Sequence, residues 1–247
     1  MVLSARKLND TFGAELSGVN LSQPLADVAL REIDAAFHRY SVLLFREQTL
    51  TPEQHIAFTR RLGALEIHVQ TNFLLPGHPE IFVLSNIREY GRLIGGVDCA
   101  LSWHSDSSYL AVPSLGSALY AIEVPPVGAE TWFAGMSAPY ETLPQGRQHE
   151  IGDLRAIHSY LRLQQKQFPD RPLTEEQLRK APDIDHPVVR VHPATGRKSL
   201  YLGGEVISGV QGMAPDEGIG LMRELLAFAT QDEFTYCHHW RAGDQDG

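Results

Sequence analysis

Residues 101–109 read Leu101-Ser-Trp-His-Ser-Asp-Ser-Ser-Tyr109 and carry the strongest chemical signal in the chain. His104 and Asp106 are two positions apart, so on an extended strand both side chains leave the same face. An imidazole nitrogen and a carboxylate oxygen can then bind one ion, and a second histidine would complete the 2-His-1-carboxylate set typical of non-haem iron(II) sites. Spacing alone is weak evidence, because a chain with 11 histidines produces such pairs by chance. A hydrogen-bonded or solvated pair stays the alternative.

The segments around this motif predict many short strands and a few helices. Apolar residues at helical spacing predict a helix over 28–40, and Thr51 with Pro52 and Gln54 predicts the start of another. A third helix is predicted over 215–230, and strands are predicted over 41–45, 81–85, 119–124, 130–133, 155–160, 187–192, 199–202 and, as the last strand, 234–240.

The predicted fold is mainly β with peripheral helices (α+β). Short strands without a regular helix between them favour a double-stranded β-helix, or jelly roll, over a βαβ array. No internal repeat or linker divides the 247 residues, so we predict a single domain over 1–247.

Composition narrows the function further. A net charge of −9 provides no basic field for phosphate backbones, so we expect no nucleic-acid partner. The sequence contains no apolar run of membrane-spanning length and no signal peptide, so we expect no membrane partner. Cys99 and Cys237 lack a disulfide or C-x-x-C pattern, and we interpret both as buried apolar side chains. Together these features predict a cytoplasmic protein.

Four segments, in order, carry a resemblance to a known family: SVLLFREQTLTPEQHIAFTRRLGAL (41–65), WHSDSSY (103–109) followed by PSLGSALYAIEVPPVGAETWFAGMSAPYETLP (113–144), HPVVRVHPATGRKSLYL (186–202) and ATQDEFTYCHHWRAGD (229–244). The chain resembles the taurine and 2,4-dichlorophenoxyacetate dioxygenase family over almost its whole length. Agreement in order and spacing is more specific than any single motif, and it turns His104 and Asp106 into expected iron(II) ligands.

The resemblance implies roles for further residues one at a time. Thr131 matches the threonine whose hydroxyl binds a carboxylate of 2-oxoglutarate, with an ordinary strand threonine as the alternative. His68 matches a histidine that contacts the anionic group of the substrate, with a structural loop histidine as the alternative. Ala100 replaces an asparagine of the taurine enzymes, which makes taurine itself a poor candidate. We interpret four further histidines as core or surface residues: His186, His192, His238 and His239.

The end of the sequence departs from the family pattern. After Trp240-Arg-Ala-Gly-Asp244 the family continues into a Trp-Asp-Asn-Arg segment, which supplies the distal histidine ligand and is followed by an arginine that clamps 2-oxoglutarate. The 247 residues instead close with Gln245-Asp-Gly247. We therefore expect a domain truncated at its C-terminus, lacking its last strands and with an exposed sheet edge. Truncation or a frameshift, natural loss of activity, and a third ligand such as His239 stay open as explanations.

The function implied by the resemblance is that of an iron(II)- and 2-oxoglutarate-dependent dioxygenase. Such an enzyme hydroxylates a small organic anion, here an aryloxyalkanoate, a sulfonate or a related carboxylate, and releases succinate and CO₂. The expected partners are the anionic substrate and O₂, and association into a homo-oligomer stays open. No catalytic side chain is expected beyond the metal ligands. The alternative is an inactive binding or regulatory module that retains the fold, and little turnover is expected from the 247 residues alone.

Overall fold

The computed structural model describes residues 3–97, 101–170 and 172–246. Cys99 and Ala100, both discussed above, lie outside the described residues. The chain divides into two compact units. The first comprises residues up to 101, 115–131 and from 237 onward, and the second comprises residues 102–114 and 132–236. The prediction of a single domain over 1–247 stays a prediction.

The described residues form sixteen short strands, listed here in chain order: β1 (Ser4–Lys7), β2 (Ala14–Ser17), β3 (Leu43–Phe45), β4 (Leu74–Leu75), β5 (His78–Phe82), β6 (Arg88–Glu89), β7 (Arg92–Leu93), β8 (Leu119–Tyr120), β9 (Thr131–Ala134), β10 (Arg155–His158), β11 (Ile184–Pro187), β12 (Val189–Val191), β13 (Lys198–Leu200), β14 (Ile207–Val210), β15 (Thr235–His238) and β16 (Gln245–Asp246). Seven α-helices accompany them: α1 (Asp27–Tyr40), α2 (Pro52–Arg60), α3 (Ser137–Thr142), α4 (Gln145–Ile151), α5 (Tyr160–Gln167), α6 (Glu175–Lys180) and α7 (Pro215–Ala229). Single 3₁₀ turns cover Thr71–Phe73, Gly204–Val206 and Asp232–Phe234.

The first unit is built on a five-stranded sheet with the order β1-β2-β3-β16-β8. Strand β2 runs parallel to β3, whereas the other pairings are antiparallel. Helix α1 buries Leu30 and Ile33, and α2 buries Ile56 and Phe58. Seven fully buried residues form the core: Ala14, Leu16, Leu21, Ile33, Leu43, Phe45 and Phe58.

The second unit is built on a three-stranded antiparallel sheet with the order β11-β10-β14. Helix α7 begins with Pro215 at its first turn and packs four residues inward at helical spacing: Gly218, Met222, Leu225 and Ala229. The hairpin β12–β13 also belongs to this unit. Its core includes Ile151, Val188, Leu200, Ile207 and Val210.

The coarse prediction of many strands with several peripheral helices is confirmed. Helices α1 and α7 lie where the apolar periodicity placed them, and α2 begins at the start signal of Thr51 and Pro52. A strand is confirmed within residues 234–240, as β15, but the prediction that it is the last strand is wrong, because β16 follows and pairs with both β3 and β8. Strand β8 is an outer strand of the largest sheet. The jelly-roll connectivity and the truncation stay predictions.

Over the described ranges, every helix is too short or too polar to cross a bilayer.

Candidate active site

The motif that carries His104 and Asp106 lies in the second unit and forms a loop and turn. The expected extended strand is therefore wrong: residues 103–105 have no regular structure, and 106–109 form a turn. Leu110 N–H donates to the Ser107 carbonyl at 2.9 Å, and Ser107 adopts a left-handed backbone with φ 52°. The turn, not the pleat of a strand, brings the two side chains to the same side.

The His104 and Asp106 side chains meet in this loop. His104 Nε2 lies 3.1 Å from Asp106 Oδ1. Two ligand atoms that each lie about 2.1 Å from one ion, at a right angle, are separated by about 3 Å. The observed spacing fits two neighbouring metal ligands, and it also fits a hydrogen bond between the two side chains. Both side chains are accessible, at 38% and 51% of their surface, so an ion can reach them.

The second ring nitrogen of His104 has its own partner. His104 Nδ1 lies 2.8 Å from the Ser102 carbonyl oxygen. A carbonyl only accepts, so the proton of the neutral ring lies on Nδ1 and the lone pair lies on Nε2. This backbone contact is the usual way in which a metal-binding histidine is oriented. In the protonated ring, Nε2–H can donate to Asp106, and this hydrogen bond raises the pKa of His104. An ion that binds Nε2 therefore competes with a proton at that atom.

Gly204 packs closely against the backbone of this loop, at Trp103. Gly204 has φ +61°, and a Cβ built on it would lie 1.9 Å from the Trp103 carbonyl oxygen. Only glycine fits there. The turn Gly204–Val206 thus fixes the backbone of Trp103, which is the residue before His104.

A third protein ligand is not found within the described ranges. No group of three or more His, Cys, Asp or Glu side chains in them is arranged to hold a metal ion. His239, the residue considered as a substitute, has a side chain that is 75% exposed, with Nδ1 3.8 Å from Glu130 Oε1. The donor set that is present, one imidazole and one carboxylate, fits two positions of an iron(II) site.

Thr131 lies in the first unit at the start of β9. Trp240 Nε1–H donates to the Thr131 hydroxyl at 2.8 Å. No local pattern predicts this pair, because the two residues are 109 positions apart in the sequence. The available signal was chemical: an indole N–H is only a donor and needs an acceptor when it is partly buried.

His68 also lies in the first unit, half-buried, with its ring 4.7 Å from that of Phe82. Its Nδ1 accepts a hydrogen bond from the Gln70 backbone N–H at 3.0 Å. The ring proton is therefore on Nε2, and the side chain is a hydrogen-bond donor at that atom. This tautomer suits a contact with an anionic oxygen.

His238 and His186 are both buried and contact neighbouring protein groups. His238 is 1% exposed and has Nε2 3.3 Å from Asp244 Oδ2. Burial, followed by the charge of Arg46, lowers the pKa of His238. His186 is buried, and its Nε2 lies 3.0 Å from the Leu110 carbonyl, in the loop that follows the metal motif.

Comparison with known proteins places the chain in a family. The sequence pattern of the "Taurine catabolism dioxygenase TauD, TfdA family" matches residues 4–245. The chain belongs to this family. The α-ketoglutarate-dependent 2,4-dichlorophenoxyacetate dioxygenase of Cupriavidus pinatubonensis is 36% identical over 99% of this chain and 88% of its own length. The (S)-phenoxypropionate/α-ketoglutarate-dioxygenase of Sphingobium herbicidovorans is 34% identical over 96% and 83%, respectively.

A solved structure agrees with the sequence comparison. The crystal structure of AAD-2 in complex with Mn(II) and N-oxalylglycine has a TM-score of 0.80 and 32% identity, covering 99% of this chain and 86% of that one. TauD/TfdA proteins are non-haem iron dioxygenases that depend on 2-oxoglutarate. The predicted family, enzyme class and cofactors are thus confirmed. The roles of His104, Asp106, Thr131 and His68 stay predictions.

Proposed function

We propose that this protein hydroxylates a small organic anion with iron(II) and 2-oxoglutarate, releasing succinate and CO₂. The observation that carries the proposal is the His104–Asp106 pair, with its 3.1 Å spacing and its Nδ1 contact to Ser102. The bound iron would supply a centre at which 2-oxoglutarate and O₂ react. His104 Nε2 and an Asp106 oxygen would hold it on one side.

The residues of this chain would bind and orient the reactants. Thr131 would donate its hydroxyl proton to a carboxylate of 2-oxoglutarate, since Trp240 already occupies one of its acceptor positions. His68 would donate from Nε2 to the anionic group of the substrate, because its Nδ1 is engaged by Gln70. A neutral N–H donor can hydrogen-bond a carboxylate or a sulfonate, so this contact does not distinguish between the two acids.

An aryloxyalkanoate is the substrate class that we favour, with sulfonates and related carboxylates as alternatives. Two of the relatives above are named for aryloxyalkanoates. The replacement of the asparagine of the taurine enzymes by Ala100 also disfavours taurine. The substrate is tested by competition: 2,4-dichlorophenoxyacetate should protect the protein against thermal unfolding in the presence of metal and 2-oxoglutarate, and taurine should not.

The metal assignment is tested by titration with Mn(II), whose free ion is counted by its paramagnetic resonance signal. Asp106→Asn and His104→Gln should each weaken Mn(II) binding by tenfold or more, since removal of one of two ligands leaves a single donor. Loss of a residue that only orients a ligand already costs about 10–100-fold. His149→Gln, at an exposed histidine of helix α4, is the matched control and should bind as the parent does. Equal binding by all three variants would remove the proposed site.

A further inference from the structure

The Trp240–Thr131 hydrogen bond constrains where the threonine hydroxyl can point its proton. A hydroxyl has one donor and two acceptor positions, whereas an indole N–H only donates. At 2.8 Å, the Trp240 N–H fills one acceptor position of Thr131 Oγ1. The hydroxyl proton must therefore point away from the indole, and Thr131 is left as a donor to another group.

The indole ring is itself held by buried neighbours. His238 packs edge-on against Trp240, with ring centroids 4.5 Å apart and an interplanar angle of 89°. His238 Nε2 lies 3.3 Å from Asp244 Oδ2, and both side chains are 1% exposed. Asp244 forms an ion pair with Arg46 and accepts the backbone N–H of Arg241 at 2.8 Å. Aromatic pairs in this T-shaped geometry are favourable, so the ring orientation is fixed from behind.

We propose that Trp240 is a positioning residue for the co-substrate: it holds the Thr131 hydroxyl as a donor aimed at a carboxylate of 2-oxoglutarate. The inference rests on the proposed function, in which Thr131 binds that carboxylate. An unconstrained hydroxyl would divide its time among several rotamers and partners. Fixing it before the ligand arrives removes part of the ordering cost of binding.

The chain offers matched variants for a test. Trp240→Phe keeps an aromatic ring against His238 but removes the N–H donor. Thr131→Val removes the hydroxyl at nearly constant shape, and Thr131→Ser keeps it. Trp132→Phe is the control, because Trp132 is the next residue on β9 and its side chain is exposed.

Two readouts separate a positioning role from a packing role. The first is the indole ¹H–¹⁵N resonance of Trp240, which Trp240→Phe assigns among the three tryptophans of the chain. It should shift in Thr131→Val, and in the parent it should respond to 2-oxoglutarate in the presence of Zn(II). The second is the dissociation constant of 2-oxoglutarate with Zn(II), measured by the same titration.

Trp240→Phe and Thr131→Val should each weaken 2-oxoglutarate binding by about tenfold, the value of one ordinary hydrogen bond. The double variant should be no weaker than Thr131→Val, because the two residues act through one contact. Thr131→Ser and Trp132→Phe should bind within about twofold of the parent.

Three results would overturn the proposal. If Thr131→Val weakens binding but Trp240→Phe does not, Thr131 acts without Trp240, and the proposed function stands. If Thr131→Val binds like the parent, the assignment of Thr131 in the proposed function falls, and the inference falls with it. If Trp240→Phe does not fold, the Trp240 resonance is identified as the one that is retained in Trp132→Phe and shifts in Thr131→Val. A Trp240 resonance of the parent that does not respond to 2-oxoglutarate then contradicts the proposal.

Discussion

His158 shows how one buried residue can set the response of a protein to acid. It is 0% exposed on β10, and neither ring nitrogen has a hydrogen-bond partner within the described ranges. Its ring stacks on Tyr201 with centroids 5.5 Å apart and meets His186 edge-on at 5.1 Å. Burial, followed by the charges of His186 and Arg190, lowers the pKa of His158 from 6.5 to about 4.

The low pKa of His158 predicts a loss of stability in acid. Between pH 6.5 and 4 the unfolded chain binds a proton that the folded chain does not, so stability falls as the pH drops through this window. The expected loss by pH 4 is about 3 kcal/mol. His158→Leu should lose that much less between pH 7 and pH 4 in urea unfolding, whereas the exposed His149→Gln should follow the parent. Parallel pH profiles for His158→Leu and the parent would contradict this account.

Gly204 is the second residue with a sharp prediction. Gly204→Ala should lower the free energy of unfolding by about 3 kcal/mol, because its Cβ would overlap the Trp103 carbonyl and its φ is positive. Since Trp103 precedes His104, Mn(II) binding should weaken as well. Gly196→Ala is the control: φ is +69° there, but no atom lies within 4 Å, so it should cost only about 1 kcal/mol and leave Mn(II) binding unchanged. Equal effects of the two variants would mean that the contact with Trp103 is unimportant.

Among the elements, two helices share one capping motif but differ in what they bury. Thr51 caps α2 and Thr174 caps α6, each with a reciprocal glutamine contact. Helix α2 buries Ile56 and Phe58, whereas α6 buries no residue. The capping hydrogen bonds therefore stabilise a helix that packs into the core in α2 but not in α6.

This difference can be measured. Thr51→Ala should lower the free energy of global unfolding by about 1 kcal/mol, and Thr51→Ser should restore most of it. Thr174→Ala should change global stability by less than about 0.5 kcal/mol, because α6 can fray without exposing the core. Hydrogen exchange should instead show faster opening of α6. A Thr174→Ala cost as large as that of Thr51→Ala would show that α6 is coupled to global unfolding.

The helices also show why some elements were predictable. Helices α1 and α7 have apolar residues at helical spacing, and α2 begins with a capping box and a proline, so the causes of these helices lie within their own sequences. Strand β16 has no such local cause, because neither glutamine nor aspartate favours strands. Gln245 and Asp246 are nevertheless buried, with only 1% and 2% of their surface exposed. Pairing with β3 and β8, which lie far away in the sequence, makes it a strand.

The candidate site divides in the same way. That His104 and Asp106 would meet was predicted from their spacing, but a turn rather than a strand brings them together. The contacts of Trp240 with Thr131 and of Gly204 with Trp103 depend on tertiary packing, and no local sequence pattern predicts them.

At the scale of the whole molecule, we predict that residues 1–247 alone turn over 2-oxoglutarate slowly. Among the described residues, no group of three His, Cys, Asp or Glu side chains is arranged to hold an ion beside the predicted ligands His104 and Asp106, so this polypeptide should bind metal weakly and form little succinate. This chain matches 88% of the length of the 2,4-dichlorophenoxyacetate dioxygenase of Cupriavidus pinatubonensis. We expect a fusion of residues 1–247 with the C-terminal residues of that relative beyond the match to form succinate faster by orders of magnitude.

The physical reason for this expected gain is twofold. An added histidine would complete the facial set of three ligands, and an added arginine would give the far carboxylate of 2-oxoglutarate a charge-assisted hydrogen bond of about 1.5–3 kcal/mol. Succinate is measured in air with iron(II) and 2,4-dichlorophenoxyacetate, and extensions in which the histidine or the arginine is replaced by alanine are the controls. Substrate-dependent succinate from residues 1–247 alone would contradict the prediction and point to His239 as the third ligand. His239→Ala would then abolish it, whereas on our account this substitution of a 75% exposed side chain leaves the extended enzyme active.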